Sequence, residues 1–416
     1  MRQELLLRRE PFGGVLFIPD DATSLELDEE AFTVAHDWFV RRRLPRRRGS
    51  LRFLAGLHFR LGPALLRRVR YVDRRPPEGE GRLPVFASPT LVDFQITHKC
   101  FMNCPHCYAS SVPEGRHTSL ADARRVIRQL RAAGTCQVAI GGGEPLLHPD
   151  LLTILREFRE AGMVPSLTTT GTGLNSRILQ GLKRYCGAVA LSLEDVGDSF
   201  SARRRNGFAG FRRMLDRLLA ARIPTVLQVT LSRDNFHRLP AIVDFCLTVP
   251  RLYGVIFLAY KPVGRGRDFD QGLVALPREE VTDGLRRAFL RLHRHTRVGY
   301  DCCLTPGIVG IEGDLDFSAV DILEGCSAAR SSLGISPELE VSPCTFTTHK
   351  KLGNLRRDSL DTIWSGRAST GFRRQFAQAD ANSACRSCAS RSACLGGCPE
   401  FDLVNCRNDY QGGRPG

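Results

Sequence analysis

From residue 91 onward the chain alternates short apolar runs with amphipathic stretches, and this alternation limits the fold more than any other feature. Strand-like runs at 92–97, 137–140, 165–169, 188–193, 225–231 and 255–260 are separated by helix-like segments at 120–133, 151–161, 177–185, 211–221 and 239–247. A further helical pattern follows at 279–293. Short apolar runs punctuated by helical periodicity are the mark of parallel βα units. Six of them predict an α/β fold built on a partial (β/α)6 barrel. In such barrels the residues that meet a substrate lie at the C-terminal ends of strands, so the segment after the first strand is where chemistry is expected.

That segment reads His98-Lys99-Cys100-Phe101-Met102-Asn103-Cys104-Pro105-His106-Cys107-Tyr108. Its C-x-x-x-C-x-x-C spacing supplies three thiolates, whereas an iron–sulfur cube is normally held by four. One iron would stay open, as in catalytic metal sites generally. A three-cysteine zinc site is the competing reading. Zinc knuckles, however, use two-residue spacers with a fourth Cys or His at matching spacing, and His106 sits between two of the cysteines. After the second strand comes Gly141-Gly142-Gly143-Glu144-Pro145-Leu146-Leu147-His148-Pro149. Glycines there permit close backbone approach; taken alone, the run is a turn closed by Pro145.

A second cysteine field, Cys385-x2-Cys388-x5-Cys394-x3-Cys398 followed by Cys406, lies near the C-terminus, with Cys302, Cys303, Cys326 and Cys344 upstream. Fifteen cysteines in 416 residues, gathered in short spacings behind a start that shows no export signal, point to metal rather than disulfides. Paired zinc sites with crossed ligands are the alternative. Cys136, Cys186 and Cys246 fall in or beside predicted elements and read as small buried hydrophobes. No apolar run is long enough to span a membrane, and a cytoplasmic location is expected. The net charge of +15 is carried mostly by arginine. It fits a solvated surface or an acidic partner; without an aromatic-interleaved basic array, nucleic acid ranks last.

Ahead of the barrel, residues 8–17 and 24–28 read as two or three strands, 29–40 as a helix and 51–69 as a second helical pattern. Pro76-Pro77-Glu78-Gly79-Glu80-Gly81 reads as a linker. The expected division is a small α+β domain at 1–75, a linker at 76–90, the barrel at 91–300 and a cysteine-rich extension at 301–416.

The cysteine triplet and the Gly-Gly-Glu-Pro run resemble the radical S-adenosylmethionine superfamily, and the C-terminal cysteines resemble its SPASM extension, which carries auxiliary clusters. The resemblance implies three [4Fe–4S] clusters and S-adenosylmethionine as cofactors. Cys100, Cys104 and Cys107 would hold the cluster that cleaves S-adenosylmethionine to a 5′-deoxyadenosyl radical. Gly142, Gly143, Glu144 and Pro145 would receive the methionine amino group, and Tyr108 would contact adenine. Thr170 lies in a T-T-G-T run where the family has T-N-G-T. Ser192 and Glu194 match the ribose-binding element, with Glu194 in place of Asp. Arg205 would bind the methionine carboxylate, in competition with Arg203 and Arg204. By the same resemblance Cys326, Cys344 and Cys398, with Cys302 or Cys303, hold an inner auxiliary cluster, and Cys385, Cys388, Cys394 and Cys406 an outer one. The one departure from that pattern is Leu339, where a turn glycine is usual.

The first residues resemble the winged-helix-like, PqqD-like recognition element of ribosomal peptide maturation systems, which binds a leader peptide as an added strand; a merely structural cap is the alternative. Together these resemblances imply a peptide maturase. It would abstract a hydrogen from a precursor peptide, pass a further electron to an auxiliary cluster and form a thioether or carbon–carbon crosslink, with a flavodoxin or ferredoxin as reductant. The alternatives are a SPASM oxidase or decarboxylase acting on a small molecule or tetrapyrrole side chain, and, outside catalysis, a zinc-stabilised scaffold or an electron carrier. Sulfatase-type oxidation ranks lower because Thr345 stands where that group has its Asp base. Tyr253, Tyr260, Lys261 and Arg265, around the end of the sixth strand, are the candidates on the substrate side.

Overall fold

The computed structural model describes residues 4–44, 48–74, 85–197, 207–269, 272–308, 325–377, 383–388 and 390–404. Arg203, Arg204, Arg205, Cys406 and the expected linker at 76–81 lie outside the described residues.

The barrel strands are β5 (Leu91–Thr97), β6 (Gln137–Gly142), β7 (Val164–Thr169), β8 (Val189–Leu193), β9 (Thr225–Leu231) and β10 (Gly254–Ala259). They pair in parallel in sequence order. Helices α3 (Leu120–Ala133), α4 (Leu151–Glu160), α5 (Ser176–Tyr185), α6 (Gly207–Ala220), α7 (Leu239–Thr248) and α8 (Arg278–Leu292) follow the strands in turn. The start of α3 is set locally, because the Ser119 hydroxyl accepts from the Asp122 N–H at 3.1 Å. In β5 the strand period separates two faces. Val92, Phe94 and Ile96 are fully buried in a cluster with Val126 and Leu130 of α3, while Asp93 and Gln95 line an internal cavity. Burying each large apolar side chain of this kind contributes roughly 1.5–3 kcal/mol.

The sheet does not end where the barrel pattern ends. Strand β11 (Arg297–Tyr300) pairs in parallel with β10 at one margin. At the other, β12 (Ser332–Ile335) from the cysteine-rich extension pairs in parallel with β5 and continues into β13 (Glu340–Ser342) and β14 (Gly353–Asn354). The result is one ten-stranded sheet in the order β11-β10-β9-β8-β7-β6-β5-β12-β13-β14. The expected boundary at 300 therefore divides the sequence without dividing the sheet.

The N-terminal unit has β1 (Leu5–Glu10), β2 (Gly13–Ile18), β3 (Thr23–Leu27), α1 (Glu29–Phe39) and α2 (Arg48–Leu61), then β4 (Val69–Val72), in a sheet of order β3-β2-β1-β4. The helical reading of 51–69 holds over Arg48–Leu61 and, as a tighter 3-10 turn, over Gly62–Leu66, while Val69 at its end belongs to the strand β4. Pro63 disfavours the helical conformation at residue 62 and lacks a backbone donor, so the helix ends at Leu61. The alternating Val-Arg-Tyr-Val run is then free to pair in parallel with β1.

This unit docks on the N-terminal ends of the barrel strands. Arg8 donates to the Pro89 and Gly134 carbonyls, and Glu10 accepts from the Ala87 N–H. Arg159, near the C-terminus of α4, donates to the Pro19 carbonyl. Every one of these contacts lies just ahead of β5, β6 or β7, at the end of the barrel opposite to the cysteine loop.

Candidate active site

The cysteine loop leaves β5 and is braced from three sides. Gly143 N–H donates to the Thr97 carbonyl at 2.7 Å and Glu144 N–H to the Lys99 carbonyl at 2.8 Å. A Cβ at Gly143 would stand 2.2 Å from the Lys99 carbonyl oxygen, so only glycine lets the run after β6 pack on the loop. From the short turn Gly264–Asp268 after β10, Arg265 N–H donates to the Cys107 carbonyl, and the Arg265 guanidinium donates to the carbonyls of Cys104 and Ser111. From β8, Glu194 reaches His106 Nε2 at 3.0 Å.

Cys100, Cys104 and Cys107 all face one cavity of about 340 Å³, enclosed by the C-terminal halves of the barrel strands. Tyr108, Gly142, Gly143, Thr170 and Ser192 lie on its wall. Two of the expected contact residues, Glu144 and Glu194, have protein partners. The Glu144 carboxylate turns away from the cavity: Oε1 accepts from the Leu146 N–H and the Thr169 hydroxyl, and Oε2 from the N–H and hydroxyl of Thr170. Burial raises its pKa against these four donors. Its place is a clasp between the loops after β6 and β7, and Pro145 opens the short turn behind it. Glu194 is 2 % exposed and paired with His106, so it supports the cysteine loop. Its one-carbon-longer side chain, relative to the family's Asp, provides that reach. Cys104, His106 and Glu194 have ligand atoms within 4.8 Å of one another, which makes the loop compact.

The substrate-side candidates divide in the same way. Tyr260 and Lys261 line the cavity. Arg265 is spent on the cysteine loop, and Tyr253 lies beneath the Arg297 guanidinium, 4.3 Å from its ring centre. Sequence reasoning missed Asp93, the one carboxyl among the described residues lining this cavity, and Gln95, Gln228 and Phe346, which share the wall. A polar residue at an inward strand position was the available signal for the first three. Phe346 packs against the Tyr108 ring at 4.9 Å. Burial holds the Tyr108 hydroxyl well above the usual tyrosine range.

The auxiliary cysteines carry no disulfide among the described residues. Cys302 meets Cys303 and Cys326, and Cys398 meets Cys303 and Cys326, so four thiols form a closed ring of hydrogen bonds. Cys344 is close enough to interact electrostatically with Cys326 and Cys398. Both members of the Cys302–Cys303 pair therefore stand at the inner site, where one was expected. Hydrogen bonds from Cys303 and Cys326 push the Cys398 thiol down toward the thiolate, the form that binds metal. Five soft sulfur donors converging in a buried space fit an iron–sulfur cluster. Cys385 and Cys394 lie on two short helical turns, Ser383–Arg386 and Arg391–Cys394, and Cys388, whose N–H donates to the Cys385 carbonyl, lies between them. Leu339, at the expected glycine position, has φ +66° and is fully buried, so the turn persists with a leucine in the left-handed conformation.

The Radical SAM superfamily model matches residues 94–246, and an iron-sulfur cluster-binding domain, SPASM, matches residues 326–389. The chain carries a radical SAM domain followed by a SPASM domain. As a radical SAM enzyme with a SPASM domain, it uses S-adenosylmethionine and iron–sulfur clusters. The loop with three thiols, opening on a cavity walled by glycine backbone, suits that cofactor pair. Over 331 residues the chain is 25% identical to the AdoMet-dependent heme synthase of Methanosarcina barkeri, covering 74% of this chain and 91% of that one. It is 27% identical over 328 residues to the PqqA peptide cyclase of Streptomyces rochei, covering 76% and 85%. The fold is similar to that of Streptococcus suis SuiB bound to its precursor peptide SuiA, with a TM-score of 0.68, 17% identity, and 98% and 100% of the two chains covered. Among the described residues, no helix is long and apolar enough to cross a membrane.

Proposed function

We propose that this radical SAM enzyme oxidatively crosslinks a ribosomally made peptide, using one cofactor-cleaving and two auxiliary [4Fe–4S] clusters. The observation that carries the reading is the N-terminal sheet. Its β4 side is closed by the barrel, since Arg70 donates to the Arg131 carbonyl and Arg74 to that of Ala132. Its other margin, β3, pairs with β2 alone among the described residues. An edge strand of this kind accepts an extended peptide through main-chain hydrogen bonds.

The two ends of the barrel then have separate tasks. The recognition edge belongs to a unit docked below the strands, and the cysteine loop lies above them. Strands of about six residues at about 3.3 Å per residue separate the two by roughly 20 Å. A peptide bound at β3 would need at least about six extended residues between its recognition segment and the residue placed in the cavity.

When bound, S-adenosylmethionine and its cluster supply hydrogen-atom abstraction by a 5′-deoxyadenosyl radical. Cys100, Cys104 and Cys107 would hold that cluster, and the backbone of Gly142 and Gly143, with Tyr108, Thr170 and Ser192, would orient the cofactor. The inner thiols Cys302, Cys303, Cys326, Cys344 and Cys398 would hold the acceptor for the substrate's second electron. Cys385, Cys388, Cys394 and Cys406 would hold the outer cluster. A flavodoxin- or ferredoxin-type protein would deliver the priming electron.

The test is anaerobic reconstitution with iron and sulfide, followed by incubation with reductant, S-adenosylmethionine and peptides encoded by the short reading frames flanking the gene. The expected result is about twelve irons per chain from three cysteine-ligated cubes, deoxyadenosine, and a peptide product lighter by two hydrogens. Replacing Cys100, Cys104 and Cys107 with Ala should remove about four irons, abolish deoxyadenosine and leave the auxiliary iron in place. The relative named as a heme synthase supports a second reading, oxidation of a tetrapyrrole side chain. Turnover of such a compound by protein lacking residues 1–75, with no peptide modified, would replace the peptide reading.

A further inference from the structure

Lys261 is a buried cation on the segment that follows β10, its side chain 3 % exposed. Nζ donates to the Ala259 carbonyl at 3.1 Å and to Asp301 Oδ2, and lies 4.1 Å from the centre of the Phe346 ring. Lys261 and Phe346 both line the cavity. On the far side, Asp301 Oδ1 accepts from the N–H groups of Cys303 and Leu304, at 3.1 and 3.2 Å, and so shapes the turn that presents Cys302 and Cys303. The ammonium interacts electrostatically with the thiols of Cys302 and Cys303, and with that of Cys344. Burial pulls the Lys261 pKa down, but the Asp301 carboxylate and the thiols outweigh it, and the side chain remains charged.

We propose that Lys261 is a positioning residue for the redox step: its ammonium, set between the cavity and the five inner thiols, raises the reduction potential of the cluster those thiols hold, and Asp301 tempers the effect. This rests on the reading of those thiols as an auxiliary-cluster site. Reduction adds one negative charge, and a cation fixed nearby in a poorly polarisable interior stabilises the reduced state. One electron leaves the substrate carbon and one enters the cluster; Lys261 exchanges no proton. The arrangement biases the second oxidation of the substrate toward completion without touching the reacting atoms.

The experiment uses full-length protein with Cys100, Cys104 and Cys107 replaced by Ala, so that the remaining paramagnetic signals are auxiliary. The reconstituted protein is titrated by potentiometry with electron paramagnetic resonance detection. Lys261→Met should move the midpoint of one signal to lower potential, since it removes the cation and leaves the Asp301 charge facing the thiols. Asp301→Asn should move the same midpoint upward, and Lys261→Arg should keep it near the parent value. Unchanged midpoints in the Met and Asn variants, or shifts of the same sign in both, overturn the proposal, because loosened packing would not reverse sign with the charge removed. If Lys261→Met fails to hold iron, the sign of the Asp301→Asn shift decides. A parent protein that binds no auxiliary iron would overturn the cluster-site reading itself, and the role of Lys261 with it.

Discussion

At the residue scale, the cavity shows how position rather than residue type assigns a role. Glu144 and Asp93 are both acidic, one after the end of β6 and one within β5, yet one is a clasp bonded to Thr169 and Thr170 and the other faces the cavity. Desolvation lifts the Asp93 carboxyl from 3.8 to about 6. Its protonated form is therefore favoured in the folded state, and the stability it contributes is fully present below pH 3.8 and lost as pH rises through about 6. Asp93→Asn should remove that dependence. Chemical denaturation of the parent should show stability falling between those two pH values, and the variant should be flatter there and more stable above pH 6. The glutamate at 194 carries a similar lesson, because the local geometry pairs the side chain with His106.

At the element scale, the N-terminal unit is tied to the barrel by a small apolar patch, Leu6, Val15 and Phe17 against Cys136 and Val164, and by buried polar contacts, rather than by its main core. Its largest apolar cluster is internal, formed by Leu5, Leu7, Leu16, Phe32, Phe39, Leu54 and neighbours. The dock centres on Arg8 and Glu10, both buried, with Arg8 Nε 2.6 Å from Glu10 Oε1. Burial raises the Glu10 pKa even though Arg8 opposes it. Arg8→Met leaves that carboxylate without its partner, a loss that typically costs about 3–5 kcal/mol. The expected outcome is an undocked N-terminal unit, seen as rapid proteolysis between residues 70 and 90 and as a separate early transition in urea. The double change Arg8→Met with Glu10→Leu should restore much of the dock, because a matched apolar pair carries no uncompensated charge.

At the scale of the whole molecule, the SPASM segment completes the sheet as well as carrying cysteines. Its strand β12 covers the β5 edge, and Trp364, fully buried, donates to the Phe86 carbonyl at 3.0 Å. A chain ending at residue 308 would expose β5 as an open edge beside the cysteine loop. Such a truncation should aggregate or form oligomers in sedimentation analysis, rather than yield a separate barrel. The six βα units were legible because strand and helix periods are local properties, and the helix read at 120–133 spans Leu120–Ala133 in the structure. The cysteine triplet was legible because its ligand spacing is a covalent constraint. The strand at 69–72 was not, since its pairing partner, β1, is some sixty residues away. Nor could the sequence settle how the cysteines associate: Cys302 and Cys303 are adjacent in the chain, but only the meeting of β11, the 325–328 segment and the C-terminal turns brings both to Cys326 and Cys398. The sequence by itself determined the spacing of the metal-binding thiols, on which the family resemblance rests, and the order of the elements, because spacing and periodicity need no long-range contact. The tertiary structure decided which acidic groups face the cavity, where the N-terminal unit docks and what stands between cavity and inner thiols, because those depend on which distant surfaces exclude water from one another.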